Sequence, residues 1–157
     1  MSLEQKRALL HAIPTFALLD SASLRAVAER AVAQELAAGQ MLFRAGDVSD
    51  GGYVIVAGAL ALTPDQQGHE VRQVGPGALV GELALLVEGP RPASARALEQ
   101  TSLLHIPRQT FMEVLENAPQ AAERLRRSMA ERLEGFLGDL DHVRNGLENF
   151  RPASRRR

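Results

Sequence analysis

The stretch Gly81-Glu82-Leu83-Ala84-Leu85-Leu86-Val87-Glu88-Gly89-Pro90-Arg91-Pro92-Ala93-Ser94-Ala95 holds the residues best suited to chemistry. Gly77 to Gly81 reads as the end of a strand, and Glu82 to Val87 has the residues for one or two helical turns. A glycine at the head of such a turn lets a ligand approach unpaired backbone N–H groups. Those donors, with the positive end of the helix dipole, favour an anion such as phosphate. Arg91 returns at the end of the loop, where a guanidinium can grip phosphate oxygens in pairs. Glu82, an acceptor beside an anion site, suits a ligand carrying a hydroxyl as well as a phosphate, as a ribose phosphate does. The same residues also have structural readings. Glu82 could complement the dipole of its own turn, and Arg91 could be solvated or paired with Glu88. Spacing alone leaves both readings open.

Other chemistries lack their residues. The 157-residue chain has no cysteine, which excludes a disulfide scaffold, a thiolate metal site and a cysteine nucleophile. Its four histidines, His11, His69, His105 and His142, stand apart with no metal-ligand spacing, and no Gly-x-Ser-x-Gly nucleophile signature occurs. An anion grip with no base, nucleophile or metal points to binding without turnover, so no enzyme activity, metal or cofactor is expected. Eighteen basic residues against nineteen acidic ones give a net charge of -1, without the field that would draw nucleic acid to the whole domain. No apolar run approaches the ~20 residues that span a bilayer, and the opening MSLEQKRALL lacks a signal-peptide pattern. A cytoplasmic chain without a membrane segment is expected.

Four textures along the chain must position these residues. Residues 1 to about 33 read as helical, with Leu9, Leu10 and Ile13 before Pro14, and Asp20 or Ser21 capping a face of Leu24, Val27, Ala28 and Ala31. Residues 34–106 carry short apolar runs broken by glycine. Met41-Leu42-Phe43, Tyr53 to Val56, Ala59 to Thr63, Val71 to Val74 and Leu103 to Ile106 are strand candidates at the spacing of a sandwich or barrel. Parallel α/β architecture would need a helix between successive strands, for which there is no room. Residues 107–150 are helical again: Pro107 suits a first turn, Phe111, Val114 and Leu115 give an apolar face, and a last helix runs from about Pro119 to Asn149. Residues 151–157 form a basic tail expected to be disordered, which leaves one domain over 1–150.

In that last helix Leu133, Phe136, Leu140, Val143, Leu147 and Phe150 alternate three and four residues apart. The stripe fits either a helix folded back on its own barrel or a dimer seam beyond it. A helix of some 30 residues is about 45 Å long and would overshoot a small barrel, which favours a homodimer. Gly135, Gly138 and Gly146 weaken the helix by about 1 kcal/mol each relative to alanine.

Gly-Glu-Leu-Ala-Leu-Leu, followed nine residues after Glu82 by Arg91 and then a small-residue strand, closely resembles the phosphate-binding cassette of cyclic nucleotide-binding domains. Ile13-Pro14-Thr15-Phe16 resembles the family's opening helix. Gly39 to Asp47 and Asp50 to Gly58 resemble its first β-hairpins, so the likeness runs from about Leu9 to Leu133. It implies an α+β, mainly β fold: an eight-stranded antiparallel β-roll, jelly-roll-like, flanked by N-terminal helices and a long C-terminal helix that moves when ligand binds. Carried over by residue, the backbone of Gly81, Leu83 and Ala84 would face phosphate and ribose. Glu82 would accept from the ribose 2′-hydroxyl and Arg91 would bind the cyclic phosphate. Arg132, thirteen residues after Pro119, is the matching candidate for a lid over the base, and its alternative is a solvated arginine on a charged face with Arg124, Arg126 and Arg127.

One position departs from that pattern. Relatives commonly carry alanine, serine or threonine after the phosphate arginine, and here it is Pro92, with neither N–H nor hydroxyl. Ala93 or Ser94 would have to substitute, and the missing hydroxyl leans the ligand toward cAMP, with cGMP second. The expected role is a cyclic nucleotide sensor acting on an unknown effector protein. Too few residues follow the last helix for a DNA-binding domain, unless the chain is a fragment of a longer regulator or channel. The rival is a pseudo-receptor that keeps the fold as a protein-interaction or dimerisation module and binds no nucleotide.

Overall fold

The computed structural model describes residues 1–65 and 71–131. The chain opens with α1 (Leu3–His11), whose Ser2 and Gln5 form a reciprocal capping box, and the short α2 (Pro14–Ala17), with proline in its first turn. Asp20 caps α3 (Ser21–Arg30) by accepting from the Ser23 N–H at 2.7 Å, as its sequence signal implied. Leu24, Val27 and Ala28 turn the buried face of α3 inward.

Eight antiparallel strands follow: β1 (Val32–Leu36), β2 (Met41–Phe43), β3 (Gly51–Ala57), β4 (Leu60–Pro64), β5 (Arg72–Val74), β6 (Leu79–Val80), β7 (Ala93–Ala97) and β8 (Thr101–Pro107). They form two four-stranded sheets, ordered β1-β8-β3-β6 and β2-β7-β4-β5. The mainly β roll expected from the sequence is present. Its edges differ in detail, because Val32 and Ala33, read from sequence as the end of the helical stretch, pair with His105 and Leu104. α4 (Arg108–Glu116) then leaves β8, and a last helix occupies 119–131 of the described residues. The stripe from Leu133 to Phe150, Arg132 and the basic tail lie outside the described residues.

The two faces of β3 explain its unbroken apolar run. Tyr53 and Ile55 face a core between the sheets, with Leu36, Leu60, Val80, Ala95 and Leu103. Val54 faces a second core under the helices, with Leu10, Phe16, Val27, Leu104, Ile106 and Phe111. A strand buried on both sides has no polar face to alternate with. Phe16 and Phe111 meet edge to face at 5.8 Å, which fixes α2 against α4. Each such fully buried side chain contributes about 1.5–3 kcal/mol.

Between β6 and β7 the chain makes a single 3₁₀ turn, Leu83–Leu85, where the sequence suggested one or two helical turns. Ala84, Leu85 and Leu86 donate their N–H groups to Gly81, Glu82 and Leu83. The segment then returns along the loop before β3: Arg91 donates to the Asp47 carbonyl and Gly46 to the Arg91 carbonyl, both at 2.8 Å. That pairing places Arg91 at the mouth of the roll.

Candidate functional site

Arg91 is the centre of the site. Its side chain is 4% exposed, so a full positive charge sits inside the roll. Burial pushes the guanidinium below its ordinary pKa, opposed by Tyr53 and Asp50. Two groups hold it: Nη2 donates to the Gly51 carbonyl at 2.8 Å, and the exposed Asp50 carboxylate lies at 3.5 Å. The guanidinium also lies over the Phe43 ring at 4.3 Å and near the Tyr53 ring at 5.6 Å. Tyr53 stacks in turn on His105 at 4.6 Å, and His105 reaches Asp50 at 3.2 Å.

Gly81 makes room for that arginine. Its φ of +83° is a conformation that residues with a Cβ rarely adopt, and a Cβ built there would lie 2.6 Å from Arg91 Nη1. Any side chain at 81 would therefore both strain the backbone and push the guanidinium aside. The glycine that sequence reasoning assigned to ligand approach is needed for the arginine as well.

The sequence candidates divide into groups. Arg91 and Ala93 line a cavity of about 540 Å³ together with Gly46, Pro64, Asp65, Pro90 and Pro92, a size within the range of small-molecule sites. Gly81 abuts Arg91 from the cassette side. Glu82 accepts a hydrogen bond from the Thr15 hydroxyl of α2. The Leu83 side chain is exposed, and Ala84 is buried with its N–H donating to Gly81 at 3.1 Å. The Ser94 hydroxyl accepts from the Ala45 N–H at 2.8 Å, which leaves its own O–H to donate. Arg132 is outside the described residues.

Several residues around the site escaped the sequence reading. Asp50, Phe43, Tyr53 and Thr15 meet Arg91 or Glu82 only through pairings 38 to 67 positions apart, which no local spacing reveals. Arg108 was missed too. Its Nη1 donates to the Ala84 carbonyl and its Nη2 to the Ser49 carbonyl, both at 3.0 Å, with Glu88 at 3.6 Å. This arginine, at the head of α4, ties the cassette turn to the loop before β3. A larger groove of about 680 Å³, lined by Leu86, Met112, Leu115, Pro119, Ala122, Leu125 and Met129, is apolar with a charged rim. The smaller cavity is the one that Arg91 lines, which makes it the candidate ligand site.

The Arg91 guanidinium, desolvated by burial beside this cavity, is a group to which an anion makes strong charge-assisted hydrogen bonds. The profile of the cyclic nucleotide-binding domain family matches residues 33–118, a stretch that contains the cavity and the whole cassette. The chain belongs to that family. A cyclic AMP receptor protein of Thermus thermophilus is 36% identical over 106 residues, which are 66% of this chain and 49% of the relative. The N-terminal domain of a transcriptional regulator from Streptomyces coelicolor superposes with a TM-score of 0.75 at 31% identity, covering 84% of this chain and 94% of that one. The regulatory domain of Toxoplasma gondii PKA, in a co-crystal with cAMP, gives a TM-score of 0.70 at 32% identity over 81% of this chain and 48% of the other. The chain spans less than half the length of curated relatives it matches, including that receptor protein. As a cyclic nucleotide-binding domain it is of a regulatory kind. No described helix is long and apolar enough to cross a membrane, and the described residues hold no cluster of three metal-ligating side chains.

Proposed function

We propose that this cyclic nucleotide-binding domain is a sensor for cAMP, with cGMP as the weaker ligand, and that it signals without transforming the nucleotide. The observation that carries the reading is Arg91. A guanidinium 4% exposed, with one exposed carboxylate as ion-pair partner and an open cavity beside it, is an arrangement suited to an anionic ligand. The receptor protein to which the chain is similar is named for cyclic AMP, and the similar PKA domain is in a co-crystal with cAMP. Arg91 would grip the cyclic phosphate beside the backbone of Gly81, Leu83 and Ala84. Ala93 would line the pocket, Glu82 would take the ribose 2′-hydroxyl, and Arg132 would cover the base. Binding would favour the state in which the C-terminal helix closes, since differential affinity for one state is the source of any signal. The rest of the reading is a single domain over 1–150 with a basic tail, working in the cytoplasm as a homodimer with an effector protein.

Calorimetric titration with cAMP and cGMP tests this directly. Hydrogen bonds to charged groups contribute about 1.5–3 kcal/mol each, so Arg91→Ala weakens cAMP at least about tenfold while the fold survives. Recovery of unchanged cAMP after incubation fits a sensor, and hydrolysis to AMP overturns it. A second reading, the pseudo-receptor, draws on Pro92 and on the bonds Arg91 already makes to Gly51 and Asp50. Equal weak affinity in the parent protein, Arg91→Ala and Glu82→Ala favours that reading.

A further inference from the structure

Glu82 stands at the head of a one-turn 3₁₀ helix, and its side chain makes no capping hydrogen bond to that turn. Its carboxylate is directed by another element: Thr15 Oγ1, 67 positions earlier, donates to Glu82 Oε2. Thr15 is 4% exposed and belongs to a firmly seated segment. Pro14 opens its helix, the Phe16 and Ala17 N–H groups both return to the Ile13 carbonyl, and Phe16 is fully buried against Phe111. The donor is therefore fixed, and the flexible partner in the pair is the glutamate.

We propose that Thr15 is a specificity-determining residue of the nucleotide site, acting as a positioning residue that orients Glu82 toward a ligand hydroxyl. The inference rests on the cyclic nucleotide reading above. A carboxylate offers about four acceptor positions, so a hydrogen bond from Thr15 at Oε2 and one from a ribose hydroxyl are compatible. A glutamate loses rotamer freedom when it engages a ligand, and the Thr15 hydrogen bond removes part of that loss in advance. The benefit falls only on ligands that carry the hydroxyl. Thr15 thus sets how strongly the site distinguishes a ribonucleotide from its 2′-deoxy counterpart, from a helix that supplies no other group to the described site.

The test compares cAMP with 2′-deoxy-cAMP by calorimetry. The parent protein binds cAMP more tightly. Thr15→Val keeps the side-chain shape, weakens cAMP about fivefold and leaves 2′-deoxy-cAMP unchanged, while Thr15→Ser retains the parent ratio. In a Glu82→Ala background, Thr15→Val no longer alters the ratio. If the valine variant does not fold, Thr15→Ala carries the same comparison. Equal weakening of both nucleotides would mean that Thr15 only packs, and a wider ratio would mean that it competes with the ligand for Glu82; either overturns the inference alone. Failure of the parent protein to bind cAMP overturns the site reading first and this inference with it.

Discussion

Arg91 and Pro92 show how much a single position decides. The Arg91 N–H is taken by the Asp47 carbonyl, and β7 begins at Ala93, paired with Pro64. Pro92 lies exposed between them, and proline offers a ligand no N–H there. Pro92→Ala restores a donor next to the guanidinium. One added hydrogen bond is worth about 1 kcal/mol, so cAMP affinity rises by up to about fivefold. The same change frees the unfolded chain and lowers stability by about 0.4–1 kcal/mol. Tighter binding with an earlier melt is the expected pair of results, read by calorimetry and thermal unfolding, and weaker cAMP binding contradicts it. Arg91, Glu82 and Gly81 were legible in the sequence because one short segment holds all three. Their partners Asp50, Phe43, Tyr53 and Thr15 were not, since those contacts exist only once β2, β3 and α2 have folded around the cassette.

The cassette is held as an element by Arg108. A turn of three residues has little stability of its own, and its Ala84 carbonyl and that of Val87 just after it both accept from this one guanidinium, at 3.0 and 3.4 Å. The other end of the same group reaches Ser49, while the Arg108 N–H donates to the Asp50 carbonyl at 2.7 Å. Arg108→Ala removes the side-chain bonds and leaves the part-buried Ala84 and Ser49 carbonyls short of a partner, which costs about 2–3 kcal/mol. Arg108→Lys does not restore it, because one ammonium cannot reach the Ala84 and Ser49 carbonyls together as the two terminal nitrogens of the planar fork do. The urea midpoint of the two variants checks this, and an unchanged midpoint in Arg108→Ala removes the clamp. At this scale the apolar runs identified β2, β3, β4, β5 and β8. β1 and β7 were harder to read: only Leu36 of β1 is buried, and β7 fills the inter-sheet core with Ala95 and Ala97, residues of low strand propensity. The eight-stranded count came from the family likeness.

For the whole molecule, the proposed dimer turns on the last helix. Over 119–131 it packs Ala121 and Leu125 into the core under α3 and α4, and Arg124 donates to the Leu18 carbonyl at 2.9 Å. Its early turns are thus anchored to the domain, and with α4 they line the large apolar groove. The stripe of Leu133, Phe136, Leu140, Val143 and Leu147 continues the same sequence outside the described residues. An a/d-type repeat of that length has apolar surface to cover, and a second copy carrying the same stripe is the symmetric way to cover it. Replacing both Phe136 and Leu140 by glutamate would put charges into the proposed seam. The expected product is a folded monomer by light scattering, with cAMP affinity retained within a few fold. A parent protein that is already monomeric at high concentration would show instead that the stripe packs within one chain, against its own roll.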